Sequence, residues 1–171
     1  QHTHILAERT MPAPKWFVGA KLKYAENLLA RMTHERPMLL YKAENQPLRE
    51  VSWQEVYDQT CALAQALRAL GVQPGDRVVA YMPAIPETMV ALFAVVSLGA
   101  VWSSCSPDFG SRSVLDRFQQ IEPKVLIAVD GYHYNGQLFD RRQAVADLQA
   151  GLSTLEQTIL VPLVTDGSNL T

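Results

Sequence analysis

From residue 48 onward, apolar residues recur along the chain with two spacings, one typical of helices and one of strands. Ser52 and Glu55 fit a capping box at the start of a helix, and Gly71 stands where that helix should end. The apolar stripe predicted for this helix consists of Trp53, Val56, Tyr57, Leu63, Ala64, Leu67 and Leu70. Residues 77–82 form a short apolar run with β-branched side chains, which predicts a strand.

The alternation of helices and strands continues through the rest of the chain. The further predicted elements are a helix from Pro86 to Gly99, a strand at 100–103, a helix capped by Ser111, a strand at 124–129, a helix at 141–152 and a strand at 158–161. Apolar strands that alternate with helices of this kind are typical of parallel strands covered on both faces. The sequence therefore predicts a doubly wound α/β fold with a mostly parallel sheet.

Residues 1–47 lack this regularity. Prolines and charges interrupt them, and one helix is predicted at 24–32. We interpret residues 1–47 as an N-terminal extension and residues 48–171 as the first part of a larger domain. A parallel sheet of so few strands that stops directly after a strand is expected to be incomplete.

No charged residue occurs between Thr88 and Pro107, a length that approaches that of a membrane span. Gly99 and several serines interrupt the run, so a helix followed by a buried strand explains it better. Residues 1–15 carry charges and contain no apolar segment typical of a signal peptide. We therefore expect no membrane span and a cytoplasmic location.

The composition narrows the classes of partner. The 171 residues include 48% hydrophobic and 19% charged residues, as expected for one soluble globular domain. The net charge of -2 gives no broad basic surface, which argues against nucleic acid and favours a small-molecule ligand.

Cys61 and Cys105 are predicted to be reduced, buried thiols. His2 and His4 have a spacing found in metal sites, but they lie at the start of the sequence and we interpret the spacing as incidental. The other histidines lack such spacing, so no metal site is predicted.

The chain lacks the short motifs that mark common nucleotide and hydrolase sites. It contains no Gly-x-Gly-x-x-Gly after a strand, no Gly-x4-Gly-Lys-Ser/Thr and no Gly-x-Ser-x-Gly. A dinucleotide site, a P-loop and a serine nucleophile elbow are therefore not supported. The spacing of residues alone leaves the function of the α/β domain open.

Several segments are nevertheless similar to one enzyme family. Residues 16–17, Gly19 and the Tyr-Ala-Glu-Asn segment at 24–27 resemble the N-terminal signature of ligases for acetate, propionate and acetoacetate. Residues 51–83, Glu87 and residues 98–101 are similar to the early part of the whole superfamily of adenylate-forming enzymes. Trp-Ser-Ser-Cys-Ser-Pro-Asp at 102–108 and Asp-Gly-Tyr-His-Tyr-Asn-Gly at 130–136 resemble the acetoacetyl-CoA synthetase branch of its acyl-CoA ligases.

That resemblance implies an enzyme that joins acetoacetate to CoA in two steps. The carboxylate first displaces pyrophosphate from ATP to form an adenylate, and the CoA thiol then displaces AMP. ATP, CoA and Mg²⁺ are the expected cofactors. The family's Ser/Thr/Gly-rich loop ending in lysine, its ribose-binding aspartate and its C-terminal catalytic lysine have no counterpart in this chain. We therefore predict no catalytic residue here and no adenylate formation by the chain alone.

The resemblance also implies two segments that face CoA. His133 and Gln137 align with arginines that contact the CoA nucleotide in related acetate ligases. Asp108, Phe109 and Gly110 align with a loop beside the path of the pantetheine arm. Neither glutamine nor a mostly neutral histidine offers phosphate the fixed charge of arginine.

Other assignments stay open at the level of sequence. Residues 132–136 can form a surface turn around Asn-Gly, and Trp102, Cys105 and Phe109 can belong to the core. The whole protein can instead be a ligase for acetate or propionate. A binding module without catalysis can also have this fold.

Overall fold

The computed structural model describes residues 3–44 and 46–165. Its described strands are β1 (Leu6–Glu8), β2 (Lys15–Trp16), β3 (Leu39–Tyr41), β4 (Arg49–Val51), β5 (Arg77–Tyr81), β6 (Val101–Cys105), β7 (Val125–Val129), β8 (Gly131–Tyr134), β9 (Gln137–Asp140) and β10 (Gln157–Val161). Its described helices are α1 (Tyr24–Leu29), α2 (Trp53–Ala69), α3 (Pro86–Ser97), α4 (Ser111–Phe118) and α5 (Arg142–Gly151), with a 3-10 turn at Gln119–Ile121. His2 and residues 166–171, the end of the predicted 48–171 domain, lie outside the described residues.

A four-stranded parallel sheet with the order β10-β7-β5-β6 forms the centre of the structure. β5 pairs in parallel with β6 and β7, and β7 pairs in parallel with β10. Every side chain of β7 is buried, because both faces of this strand are covered. The sequence of β7 is therefore continuously apolar instead of alternating with polar residues.

Helices cover both faces of the sheet, which confirms the predicted doubly wound α/β fold. α2 and α3 pack on one face, where the buried residues include Ala64, Leu67, Ala91, Ala94, Val78, Ala80, Val125 and Ile127. α4 and α5 pack on the other face, where the buried residues include Val114, Phe118, Val145, Leu148, Val79, Tyr81, Leu126 and Ala128. Successive residues of β5 and β7 point into opposite cores, as the period of two in a strand requires.

α2 begins and ends where the sequence predicts, but only half of the predicted capping box forms. The hydroxyl of Ser52 accepts a hydrogen bond from the backbone N–H of Glu55 over 3.1 Å and caps the helix. The carboxylate of Glu55 pairs with Arg49 over 2.5 Å instead of returning to the cap residue. Gly71 follows the helix with a φ of 82°, the left-handed conformation that a terminating glycine adopts.

Several of the sequence expectations are wrong. Tyr57 and Leu70 belong to the predicted apolar stripe of α2, but both side chains are exposed. Ser111 is the first residue of α4 and not its cap, because Gly110 precedes the helix in an extended conformation. The Ser111 hydroxyl donates to the carboxylate of Asp147 over 3.1 Å. Cys61 is exposed, because it lies beside the stripe through which α2 packs on the sheet. Cys105 is a buried free thiol, as predicted.

The uncharged segment 88–107 forms most of α3 and then β6, as predicted. α3 is buried on several sides, through Pro86, Val90, Ala91, Phe93, Ala94 and Val95. Within the described ranges, no helix is both long enough and apolar enough to cross a membrane.

Three short antiparallel hairpins, β1–β2, β3–β4 and β8–β9, are absent from the predicted elements. Their strands are too short for a period of two to be distinguished from chance. β3 and β4 pair across residue 47, the predicted end of the N-terminal extension. The division of the chain into an extension at 1–47 and a domain at 48–171 stays a prediction.

A buried carboxylate joins the end of β7 to the segment after β10. Asp130 is fully buried and accepts backbone N–H bonds from Leu163 at 2.8 Å, Val164 at 3.1 Å and Thr165 at 2.9 Å, together with a bond from the Thr165 hydroxyl. Burial raises the pKa of Asp130, but the bonds from Thr165, Leu163 and Val164 outweigh burial and lower that pKa below its usual value. The charged carboxylate thus holds the two strand ends together beyond their last backbone pair.

We predict that Gly131→Ala destabilises the fold. A Cβ at this position would lie 2.6 Å from the carbonyl oxygen of Phe139 and 2.9 Å from a methyl group of Val164. We expect a loss of about 1–3 kcal/mol in the free energy of unfolding, measured by urea denaturation. Gly110→Ala is the control, because its Cβ would meet no atom within 4 Å. A loss at Gly131 no larger than that at Gly110 would contradict the prediction.

Asp130→Asn should destabilise the fold by about 2–4 kcal/mol at neutral pH, because an amide cannot accept every bond that the carboxylate accepts. A pKa lowered by folding gives stability above the unfolded value of about 3.9, and this stability is lost as pH falls through the folded pKa. The stability difference between wild type and variant should therefore be constant above about pH 5 and shrink below about pH 4.

Urea denaturation at several pH values measures that difference. Asp116→Asn is the control, since Asp116 is exposed on α4 and its replacement should change the free energy of unfolding by under about 0.5 kcal/mol. An Asp130→Asn difference that is unchanged between neutral and acidic pH would show that the charge of Asp130 is not the source of the stability.

Candidate functional site

A cleft of about 530 Å³ at the carboxyl end of the parallel sheet is the candidate site. Most of its lining lies in four segments, at 41–44, 83–85, 106–108 and 132–134, and Gln46 and Leu163 complete it. β5 leads into α3 on one face of the sheet, whereas β7 leads towards α5 on the other face. The chain therefore diverges between two neighbouring strands, which leaves a crevice of the kind in which α/β sheets bind ligands.

The segment 83–85 forms one side of the cleft as a tight turn between β5 and α3. The carbonyl of Pro83 accepts hydrogen bonds from the N–H of Ile85 over 2.9 Å and from the hydroxyl of Thr88 over 2.7 Å. Pro86 begins α3 as predicted, at a position where a helix needs no N–H donor. These bonds hold the turn against the start of the helix.

The loop after β6 is held through its backbone by two side chains. The hydroxyl of Tyr81 lies 2.9 Å from the carbonyl oxygen of Pro107 and 2.7 Å from that of Phe109, and it shares its hydrogen between them. Arg141 donates from Nε to the same Pro107 carbonyl over 2.7 Å. Burial raises the pKa of Tyr81, so the phenol remains a donor at neutral pH. Asp108 is thereby placed beside the cleft.

β8 and β9 form the opposite wall as an antiparallel hairpin. Asn135 and Gly136, with φ of 51° and 71°, form the two-residue turn between the paired residues Tyr134 and Gln137. Asn-Gly is the preferred sequence for such a turn, because both positions need a positive φ. The turn that the sequence offered as an alternative is therefore present, and His133 lies in the strand that precedes it.

Glu44 joins the β3–β4 segment to this turn. Its two carboxylate oxygens accept the N–H groups of Asn135 and Gly136 over 2.7 and 2.9 Å. The bonds from Gly136 and Asn135, with a smaller effect of the nearby His133, lower the pKa of Glu44. One side chain thus connects two walls of the cleft that are 91 residues apart in the sequence.

The charged groups along the described part of the cleft have both signs. Lys42 supplies a fixed cation, and its ammonium donates to the carbonyl of Gln46. Glu44 and Asp108 supply carboxylates, and His133 supplies an imidazole. A phosphate group at this cleft would therefore meet one lysine and no arginine among the described lining residues.

Two of the predicted CoA-facing residues, Asp108 and His133, line the cleft. Gln137 is exposed at the start of β9, opposite Tyr134, and is not among the lining residues. The structure thus brings Asp108 and His133 to the same cleft from separate loops, although the sequence places them 25 residues apart.

Phe109 and Gly110 lie just beyond the cleft. The ring of Phe109 is 43% exposed and lies under the guanidinium of Arg117, 5.1 Å from the ring centroid, so it is not part of the core. Gly110 precedes α4. Trp102 is partly buried and Cys105 is buried, in agreement with the alternative that places these two residues in the core.

Glu44, Tyr81 and Arg141 shape the site, yet the sequence did not single them out. Each acts on a partner that lies between 26 and 91 residues away in the chain. No local motif marks a contact of that kind. The Asn-Gly pair was the available signal for the hairpin, but it does not indicate which carboxylate binds its N–H groups.

A larger groove of about 740 Å³ lies between α1 and α2. It is lined largely by small or apolar residues, including Ala25, Leu29, Ala30 and Ala64, and by none of the four segments at the carboxyl end of the sheet. Over residues 3–44 and 46–165, no group of three or more His, Cys, Asp or Glu side chains is placed to hold a metal ion.

Two relatives illustrate what this chain is similar to. The acetoacetyl-coenzyme A synthetase of Rhizobium meliloti (strain 1021) is 44% identical over 156 residues, which cover 91% of this chain and 24% of the relative. The acetoacetyl-CoA synthetase of Rattus norvegicus is 40% identical over 152 residues, which cover 88% of this chain and 23% of the relative.

This chain is also similar to a solved structure of an acetoacetyl-CoA synthetase. The acetoacetyl-CoA synthetase from Streptomyces lividans matches with a TM-score of 0.91 and 50% sequence identity, over 98% of this chain and 26% of that chain. This chain spans about a quarter of the length of these relatives. The family model described as AMP-binding enzyme matches residues 29–170, well over half of the chain. The chain therefore belongs to the family of AMP-binding enzymes.

Proposed function

We propose that this chain is the first part of the large domain of an acetoacetate–CoA ligase. The complete enzyme converts ATP, acetoacetate and CoA into acetoacetyl-CoA, AMP and pyrophosphate through an acyl-adenylate. The observation that carries this proposal is the similarity of nearly the whole chain to acetoacetyl-CoA synthetases, at 40%, 44% and 50% identity. The segments 102–108 and 130–136 support it, because residues from both line the cleft.

We assign the cleft to the CoA side of the reaction. Asp108 and His133 are proposed contacts within it, and Phe109, Gly110 and Gln137 are proposed contacts around it. Lys42 offers a fixed positive charge to phosphate, and His133 offers ring nitrogens that donate when protonated. The carboxylates nearby oppose an anion, so we expect phosphate to bind more weakly here than at an arginine-lined site.

ATP and Mg²⁺ are assigned to other parts of the complete enzyme. The lysine-terminated loop that holds phosphates in this family has no counterpart in the sequence. The chain supplies sheet strands and a wall of the CoA channel, and adenylate formation needs residues beyond it. We further propose that the complete enzyme acts in the cytoplasm.

Pyrophosphate release by the complete protein tests this function. With ATP, Mg²⁺ and CoA present, we expect kcat/KM for acetoacetate to exceed the values for acetate and propionate by about tenfold or more. A preference for acetate or propionate would reassign the substrate. No activity with any of the three acids would favour a binding module. The 171-residue chain alone is the control and should release no pyrophosphate.

We predict that His133→Lys in the complete enzyme lowers the KM for CoA by about three- to tenfold, with KM for ATP unchanged. Lysine places a fixed positive charge at this position in the cleft lining, beside Glu44. The gain should diminish as salt rises, because salt screens the attraction. Gln65→Lys is the control, since Gln65 lines the separate groove on α2. An unchanged KM for CoA in His133→Lys would remove His133 from the CoA site.

A further inference from the structure

The loop after β6 and the hairpin after β7 both line the cleft, yet their strands are not neighbours in the sheet. β5 lies between them. With about 4.8 Å between neighbouring strands, β6 and β7 are roughly 10 Å apart. The backbone pairing of the sheet therefore leaves the two walls separate beyond the strand ends, and side chains must fix the distance between them.

Arg141, which lies between β9 and α5, spans this gap. Its backbone N–H donates to the carbonyl of Asp130, directly after β7, over 2.8 Å. Its side-chain Nε donates to the carbonyl of Pro107, in the loop after β6, over 2.7 Å. One residue thus links the end of β7 to the loop that follows β6.

The guanidinium of Arg141 is also fixed in orientation. A terminal nitrogen donates to the hydroxyl of Tyr132 over 3.1 Å. The guanidinium carbon lies 5.3 Å from the ring centroid of Tyr132 and 5.6 Å from that of Phe139, and the two rings stack at 5.1 Å. A planar guanidinium can hold two acceptors and contact aromatic rings at once, whereas a lysine ammonium offers only a point charge.

Arg141 acts on the cleft through other residues. Pro107 and Tyr132, the two residues that its side chain holds, line the cleft, whereas Arg141 itself does not. Its neighbour Arg142 is exposed and pairs with Asp140, so it provides a matched comparison in the same segment.

We propose that Arg141 is a positioning residue that sets the width of the cleft and thereby the affinity for CoA. The link to CoA rests on the proposed function of the complete enzyme. The link to the width of the cleft rests on the contacts of Arg141 alone.

Steady-state kinetics of the complete enzyme carrying Arg141→Lys tests the link to CoA. We expect the KM for CoA to rise about tenfold, with kcat and the KM values for ATP and acetoacetate within about twofold of wild type. Arg142→Lys should leave every parameter unchanged. An unchanged KM for CoA in Arg141→Lys overturns the proposal. Equal rises in all three KM values, together with a lower unfolding temperature, also overturn it, because they indicate a general loss of stability.

Tyr132→Phe is a milder second variant, since it removes the hydroxyl that Arg141 contacts and keeps the ring. We expect it to raise the KM for CoA by about two- to fivefold without lowering the unfolding temperature. A KM for CoA equal to that of wild type would count against the role of the Arg141 to Tyr132 contact.

Hydrogen exchange of the complete enzyme, followed in the peptides of this chain, gives a measurement that does not depend on activity. Arg141→Lys should speed amide exchange at 106–110 and 131–134 by about tenfold or more and leave β5 unchanged, whereas Arg142→Lys should change neither. Unchanged exchange at both segments overturns the positioning role. If Arg141→Lys speeds exchange but the wild-type enzyme does not activate acetoacetate, the positioning role of Arg141 stands and the proposed function is overturned.

Discussion

The parallel pairing of β5 with both β6 and β7 is the constraint on which the rest of the structure depends. Parallel neighbours bring their carboxyl ends to one edge of the sheet, and each needs a long crossover to reach the next strand. The chain leaves β5 and β7 towards opposite faces, so a crevice opens between them. The cleft is therefore a product of topology, and the side chains of the loops refine its shape and charge.

The sequence predicted those parts of the fold in which burial imposes a long regular pattern. α2, α3, α5, β5 and β7 lie close to their predicted positions, because each buries a stripe or a continuous apolar run. The prediction of Ser111 as a cap was wrong, because the neighbouring residues in the sequence do not distinguish a serine at the cap from a serine at the first helical position. The hairpins were missed because their strands carry too few residues to show a period.

The site was predictable only where a whole segment resembles known ligases. That resemblance located Asp108 and His133, which line one cleft. It did not locate Tyr81, Arg141 or Glu44, because their contacts join positions that are distant in the chain. α2 shows the same limit in the core. Four of the seven residues of its predicted stripe are buried, but Tyr57 and Leu70 are exposed, as is Cys61 beside the stripe. A single sequence reports local pattern, whereas a binding site is made by contacts between distant segments.

The bond from Glu44 to the Asn-Gly turn has a consequence for the order in which the molecule assembles. The entropy cost of closing a loop grows with its length, so contacts of large sequence separation form after local ones. The β8–β9 turn closes between neighbouring residues, but its N–H groups reach Glu44 only across 91 residues. During synthesis, the segment that carries Glu44 is complete long before its partner exists. We therefore expect the enclosure of the cleft to form after the local contacts of the β8–β9 hairpin.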